Sequence, residues 1–226
     1  MKLNVKVEEI PFGSNIQTVK VPDILRKKVP TGLGYFDDAL GGKGFTPSMV
    51  TLFIGTPGAG KTTMMLTLAN EIAKSGNVAV FNTAEESLHQ IKMTSERLQL
   101  RSPFLVGAET HVPTLLKGCD KIREANPNKH FFLIVDSLQT LDDGYFNSGR
   151  ITTATAERSL QILTNYAKEY ACNVIVIGQV TKDGKMAGTQ KLKHMVDAMM
   201  VLDVERKDEE LRGCRVFSTE KNRFGG

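Results

Sequence analysis

The chain has 226 residues, 41% of them hydrophobic, with 29 Lys and Arg against 25 Asp and Glu for a net charge of +4. That is the length of one α/β domain with a sizeable core, and its basic excess is too slight to argue nucleic-acid binding from charge alone. The three scattered cysteines (Cys119, Cys172, Cys214) lack the spacing of a zinc site or a disulfide framework. From strand-sized apolar runs and a start without an apolar leader we expect neither a membrane span nor a secretory signal, and a reducing cytoplasm fits.

In chain order, Leu3, Val5 and Val7 alternate with polar residues and read as a short strand. Pro11, Pro22 and Pro30 interrupt the next segment, so residues 1–28 read as an arm or linker ahead of a core at 29–226. Arg26-Lys27-Lys28 reads as solvated surface. A short helix follows at 34–40, stopped by Gly41-Gly42. Strands and helices then alternate: strand 50–55, helix 61–75, strand 78–82, helix 86–99, helix 113–125, strand 131–135, helix 152–171 and strand 174–178. The continuous apolar strands imply a sheet buried on both faces and mostly parallel, hence a three-layer α/β sandwich. Two last strands, about 198–205 and 214–221, flank the charged turn at 206–210 and read as a terminal antiparallel hairpin.

The most informative stretch is Gly55-Thr56-Pro57-Gly58-Ala59-Gly60-Lys61-Thr62-Thr63, which fits G-x-x-x-x-G-K-[ST] between a strand and a helix. Its glycines let backbone N–H groups wrap a phosphate chain at a helix N-terminus. Lys61 is expected to reach the β- and γ-phosphates of ATP, and the Thr62 hydroxyl to bind Mg²⁺. Phe131 to Val135 is an apolar strand ending in Asp136, a Walker B arrangement that brings a carboxylate to the same sheet edge; a strand-end Asp also serves as a helix cap, and the P-loop upstream decides for the metal. Glu85 and Glu86 end another strand. One can polarise a water for attack on the γ-phosphate, Glu85 being nearer the strand end, while the other complements a helix N-terminus. Gln179 ends the next strand, where it can sense the γ-phosphate or stand as a satisfied polar residue. The loops at 142–151 and 182–192 carry Tyr145, Arg150, Lys182, Lys185 and Lys191, a mixture that suits single-stranded nucleic acid as well as plain mobile surface.

With these residues in view, positions from about 29 to 226 resemble the ATPase core of the RadA/Sms family in the RecA-like superfamily. The carriers are Pro30-Thr31-Gly32 with Leu40-Gly41-Gly42, Glu85-Glu86-Ser87-Leu88, Val135-Asp136-Ser137-Leu138-Gln139, Val180-Thr181-Lys182-Asp183-Gly184, and Lys221-Asn222-Arg223-Phe224-Gly225. The resemblance implies a RecA-like P-loop NTPase fold and a ring, hexameric by expectation. ATP would lie at subunit interfaces, and Lys221 and Arg223 would be catalytic cations lent to a neighbour. It also implies a DNA-dependent translocase whose loops at 142–151 and 182–192 face DNA. Such proteins usually open with a four-cysteine zinc module and close with a Lon-protease-like domain. The first 28 residues here hold no cysteine and the sequence stops at Gly226, so a zinc-free, single-domain version is expected. Two other readings stand beside the motor: a KaiC-like regulatory ATPase acting on protein, and a recombination mediator that uses ATP only to assemble. A small-molecule kinase is disfavoured because no arginine-rich lid separates the core strands.

Overall fold

The computed structural model describes residues 6–145, 151–179, 189–206 and 208–225. Its elements are α1 (Asp23–Arg26), α2 (Gly34–Ala39), β1 (Val50–Gly55), α3 (Lys61–Lys74), β2 (Val78–Thr83), α4 (Leu88–Arg97), β3 (Leu105–Gly107), α5 (Val112–Ala125), β4 (Phe131–Asp136), α6 (Thr153–Tyr170), β5 (Asn173–Gln179), α7 (Thr189–Met195), β6 (Ala198–Val204) and β7 (Arg215–Asn222). They build a seven-stranded sheet in the order β3-β2-β4-β5-β1-β6-β7. All neighbours are parallel except β6 and β7, the terminal hairpin.

The central strands are buried along their whole length because both faces are covered. On β1, Val50, Leu52 and Ile54 enter one apolar cluster with Leu115, Leu163 and Val196 of the α5–α6–α7 side. Phe53 points the other way, among Phe36, Leu66, Leu68 and Ile91 of α2, α3 and α4. Burying one such ring contributes about 1.5–3 kcal/mol. The continuous apolar runs thus follow from the pleat: alternate side chains face opposite layers, and both layers are dry.

Four local expectations change. Helix α4 begins at Leu88, not at 86, because Ser87 takes the N-cap and forms a capping box with Gln90. Edge strand β3 was not expected; it is three residues long and largely exposed, too short to show a period. Helix α7 covers positions 189–192, which the sequence reading placed in the loop at 182–192. In the arm, Val7 is not in a strand; its amide donates to the Glu169 carbonyl at 2.7 Å, and Lys6 pairs with the Glu169 carboxylate at 2.8 Å. Leu3 and Val5 lie outside the described residues. No residue from Lys6 to Lys28 is buried.

Candidate active site

The loop between β1 and α3 is shaped by close contact. A Cβ on Gly55 would stand 2.0 Å from the Leu202 carbonyl oxygen of β6, so only glycine fits there. Gly60 has φ +97°, the left-handed conformation that turns the chain into α3. Helix α3 then starts at Lys61 with no side-chain cap, which leaves its N-terminal end suited to an anion. The Lys61 ammonium curls over the loop and donates to the carbonyl oxygens of Gly55 (2.8 Å) and Thr56 (3.1 Å). Burial holds its pKa below the ordinary value, opposed by the negative charges of Asp136, Glu85 and Asp203. Pro57 and Gly58 form the exposed tip, buried Ala59 closes a turn onto the Thr56 carbonyl at 3.1 Å, and Thr62 and Thr63 lie in the first turn of α3.

The sheet register brings the other expected groups to this edge. Thr83 pairs with Asp136, Asp136 with Ile177, and Gln179 with Gly55. The Thr62 hydroxyl donates to Asp136 Oδ2 at 2.7 Å. Asp136 is nearly buried and its pKa is raised, first by that burial; the Thr62 bond and Lys61 oppose the shift, while Glu85 and Glu86 add to it. An alcohol oxygen and a carboxylate oxygen in contact beside a phosphate loop are the hard donors Mg²⁺ takes, so these two residues fit that ion. Glu85 is held from two sides: the Gln179 amide donates to Oε1 and Oε2 at 2.8 and 2.9 Å, and the Ser137 hydroxyl donates to Oε1. Glu86 sits apart, its amide accepted by Thr83 Oγ1 at 3.1 Å, one residue before the N-cap of α4.

Lys221 and Arg223 are not part of this constellation. Lys221 faces Met199, three residues down β6 from Leu202, or about 10 Å towards the opposite edge of the sheet. Its ammonium donates to the carbonyl oxygens of Lys193 (2.6 Å) and Val196 (2.7 Å), at the end of α7. Arg223, beyond the strand, donates to the His194 carbonyl (3.1 Å) and pairs with Asp197 (3.2 Å). Both cations thus brace the α7–β6 junction of their own chain.

Of the residues expected at nucleic acid, Tyr145 is exposed, with the Arg158 guanidinium 4.6 Å from its ring centre. Lys191 forms an ion pair with Glu157. Arg150, Lys182 and Lys185 lie outside the described residues. The sequence reading missed three contacts: Arg215 donates through Nε to the Ala59 carbonyl at 2.8 Å, Asp203 accepts the Thr56 amide at 3.3 Å, and Ser137 holds Glu85. Arg215 and Asp203 come from the terminal hairpin, and no local pattern ties them to a loop some 150 residues earlier.

Fold and site together define a RecA-like P-loop ATPase core. Within that class the chain is similar to RadA proteins over part of their length. It is 32% identical over 222 residues to the DNA repair protein RadA of Bacillus subtilis, covering 95% of this chain and 46% of the relative. It is 36% identical over 203 residues to the RadA of Mycobacterium tuberculosis, covering 87% and 39%. The chain therefore spans less than half the length of these relatives. A family model for the KaiC ATPase matches residues 29–101. By fold, the chain is similar to a DnaB-like replicative helicase (TM-score 0.73, 17% identity, 88% of this chain and 59% of that one). It is also similar to a KaiC-like protein of Pyrococcus horikoshii (TM-score 0.65, 21% identity, 87% and 88%). Among the described residues no helix is long and apolar enough to cross a membrane.

Proposed function

We propose that this chain is an ATP-hydrolysing, ring-forming motor that acts on single-stranded DNA in repair, recombination or replication. One observation carries the reading. A hydrolytic edge (Lys61, Thr62, Asp136, Glu85, Gln179) stands at one end of the sheet, and two clustered cations (Lys221, Arg223) stand towards the other, turned away from the pocket of their own chain. A unit built this way is completed by a neighbour arranged head to tail, and closure of such contacts makes a ring, hexameric in this reading.

In the proposed reaction the P-loop amides and Lys61 bind the β- and γ-phosphates of ATP. Thr62 and Asp136 would hold Mg²⁺, which neutralises phosphate charge when bound. Glu85 accepts a proton from a water whose oxygen attacks the γ-phosphorus in line; the bond to the β-phosphate oxygen breaks, and ADP leaves with that electron pair. Gln179 fixes the Glu85 carboxylate through two bonds, so a γ-phosphate that competes for the amide would shift Glu85 and the end of β5 together. Lys221 and Arg223 of the adjoining protomer would stabilise the charge that develops on the transferred group. DNA as the track is supported by the exposed ring of Tyr145 and by the relatives, which are DNA repair proteins. Arg150, Lys182 and Lys185, with Lys191 in the first turn of α7, are the proposed phosphate contacts.

The test is ATP turnover at rising protein concentration, with and without single-stranded DNA. The motor requires a rate per protomer that climbs with concentration and with DNA. A rate indifferent to DNA would favour a KaiC-like regulatory ATPase, which the match at residues 29–101 keeps in view. Assembly on ATP without turnover would favour a recombination mediator.

A further inference from the structure

We propose that the cleft between residues 143–145 and helix α6 receives one unstacked base of single-stranded DNA, with Tyr145 as the ring it stacks on and Arg158 as the positioning residue that holds that ring. The site rests on the DNA reading above and extends it from phosphates to bases. The cleft measures about 290 Å³ and is lined by Asp143, Gly144, Tyr145, Arg158, Gln161 and Ile162. Small-molecule sites run from about 300 to 1,000 Å³, so this one has room for a single ring system and leaves sugar and phosphate outside.

The wall that carries Tyr145 is fastened at several points. Asp142 bridges to His111 ahead of α5: its amide donates to the Thr110 carbonyl at 2.9 Å, and its carbonyl accepts the Val112 amide at 2.8 Å. The Asp142 carboxylate then accepts the Gly144 amide at 2.9 Å, and the Asp143 carboxylate accepts the Tyr145 amide at 3.1 Å. Gly144 has φ +74°, and a Cβ there would stand 2.7 Å from His111 Nε2, so the turn that presents Tyr145 favours glycine. Tyr145 itself stays 69% exposed. The fold thus fixes an aromatic ring that it does not bury, which is the arrangement a stacking ligand uses.

Arg158 supplies the support. Its guanidinium lies 4.6 Å from the centre of the Tyr145 ring. Its Nε pairs with the buried Asp143 carboxylate, and Nη2 donates to Thr155 Oγ1 at 3.4 Å. With its charge met by Asp143, Arg158 adds little net charge to the surface; what it adds is a flat face set against the ring. A base in the cleft finds Ile162 for apolar contact and Gln161 for a polar one. Gln161 gives one N–H to Asn165 Oδ1 at 2.9 Å and keeps its carbonyl and a second N–H to offer. A donor and an acceptor side by side suit every base, so stacking sets the affinity and no single base is preferred.

The experiment titrates the full chain, with a non-hydrolysable ATP analogue, into labelled oligo(dT) and into an abasic strand with the same number of phosphates, read by fluorescence anisotropy. The variants are Tyr145→Leu and Arg158→Lys, the lysine keeping a cation for Asp143 and losing the flat face. Tyr145 is exposed, and thermal denaturation checks that both variants fold. We expect the wild type to bind oligo(dT) at least about tenfold tighter than the abasic strand, and both variants to lose that margin while binding the abasic strand as the wild type does. The sequence has no tryptophan, so Tyr145→Trp places a single indole at the cleft. Its emission should be quenched by oligo(dT) and not by the abasic strand, and adding Arg158→Lys should weaken the quenching at saturation. An equal loss on both strands in Arg158→Lys would make the residue a backbone contact and overturn the proposal. Equal wild-type affinity for the two strands would overturn it as well, while leaving single-stranded DNA as the track. Binding of neither strand would refute the DNA reading itself, and the base cleft with it.

Discussion

Replacing Arg223 by alanine separates the contacts this guanidinium makes in its own chain from the role proposed for it at a neighbour. Within its own chain it makes one bond to the His194 carbonyl and one ion pair with Asp197, and its side chain is 48% exposed. A pair that open to water is worth about 0.2–1 kcal/mol. Asp197 does not become an orphan when it goes, because its other carboxylate oxygen still accepts the Val50 amide at 3.0 Å. The thermal midpoint should therefore fall by no more than about 2–4 °C for a chain of this size. As a cation lent to the neighbour's γ-phosphate, the same residue would be worth about three to five orders of magnitude in turnover. A large loss of rate with a small loss of stability is the expected signature. Mixing Arg223→Ala with Lys61→Ala decides whether the pocket is shared. Each variant alone should be inactive, yet in an equal mixture about a quarter of head-to-tail contacts would join an intact P-loop to an intact cation, so about a quarter of the wild-type rate should return. A mixture that stays inactive under conditions where the wild type assembles refutes the shared pocket. Full turnover by Arg223→Ala alone refutes it too.

Two further expectations come from buried titratable groups. His130 is 3% exposed, its Nε2 lies 2.6 Å from Asn173 Oδ1, and burial lowers its pKa to about 4, the Asn173 bond opposing. The unfolded chain takes up this proton near pH 6.5 and the folded chain does not until about pH 4, so stability is lost as pH falls through that window, by about 2 kcal/mol at pH 5 relative to pH 8. Urea unfolding at the two pH values should show that difference removed in His130→Gln, which keeps an amide donor for Asn173; an unchanged pH dependence would count against it. Asp136 has a raised pKa, so its charge costs folding energy at neutral pH. Asp136→Asn should abolish turnover while raising the ligand-free thermal midpoint by about 2–4 °C, and a lowered midpoint would show the carboxylate to be a net stabiliser.

The carboxylates and the amide of the proposed hydrolytic edge were legible because each stands at the end of a strand whose apolar run marks it. Glu85, Asp136 and Gln179 follow the ends of β2, β4 and β5, and in a parallel sheet all strand ends of one sense share an edge, so linear order already implied proximity. The P-loop was readable for a similar local reason: its glycines and Lys61 act within nine consecutive residues. Short or exposed elements were not readable. Strand β3 buries too little to impose a period, and α7 turns only Leu192 and Met195 to the core, too few apolar positions among its lysines to mark a helix.

What the sequence determined by itself was the class of chemistry and the sheet that supports it, since buried strands and a phosphate loop are written in contiguous residues. Only the tertiary structure decided what the terminal strand does. Arg215 and Arg223 are eight positions apart on one antiparallel stretch, yet one lies on the P-loop and the other towards the far edge. Extended backbone keeps them apart, and which of them meets the P-loop depends on the register of β7 against β6, which is set by packing between strands and by no pattern within either.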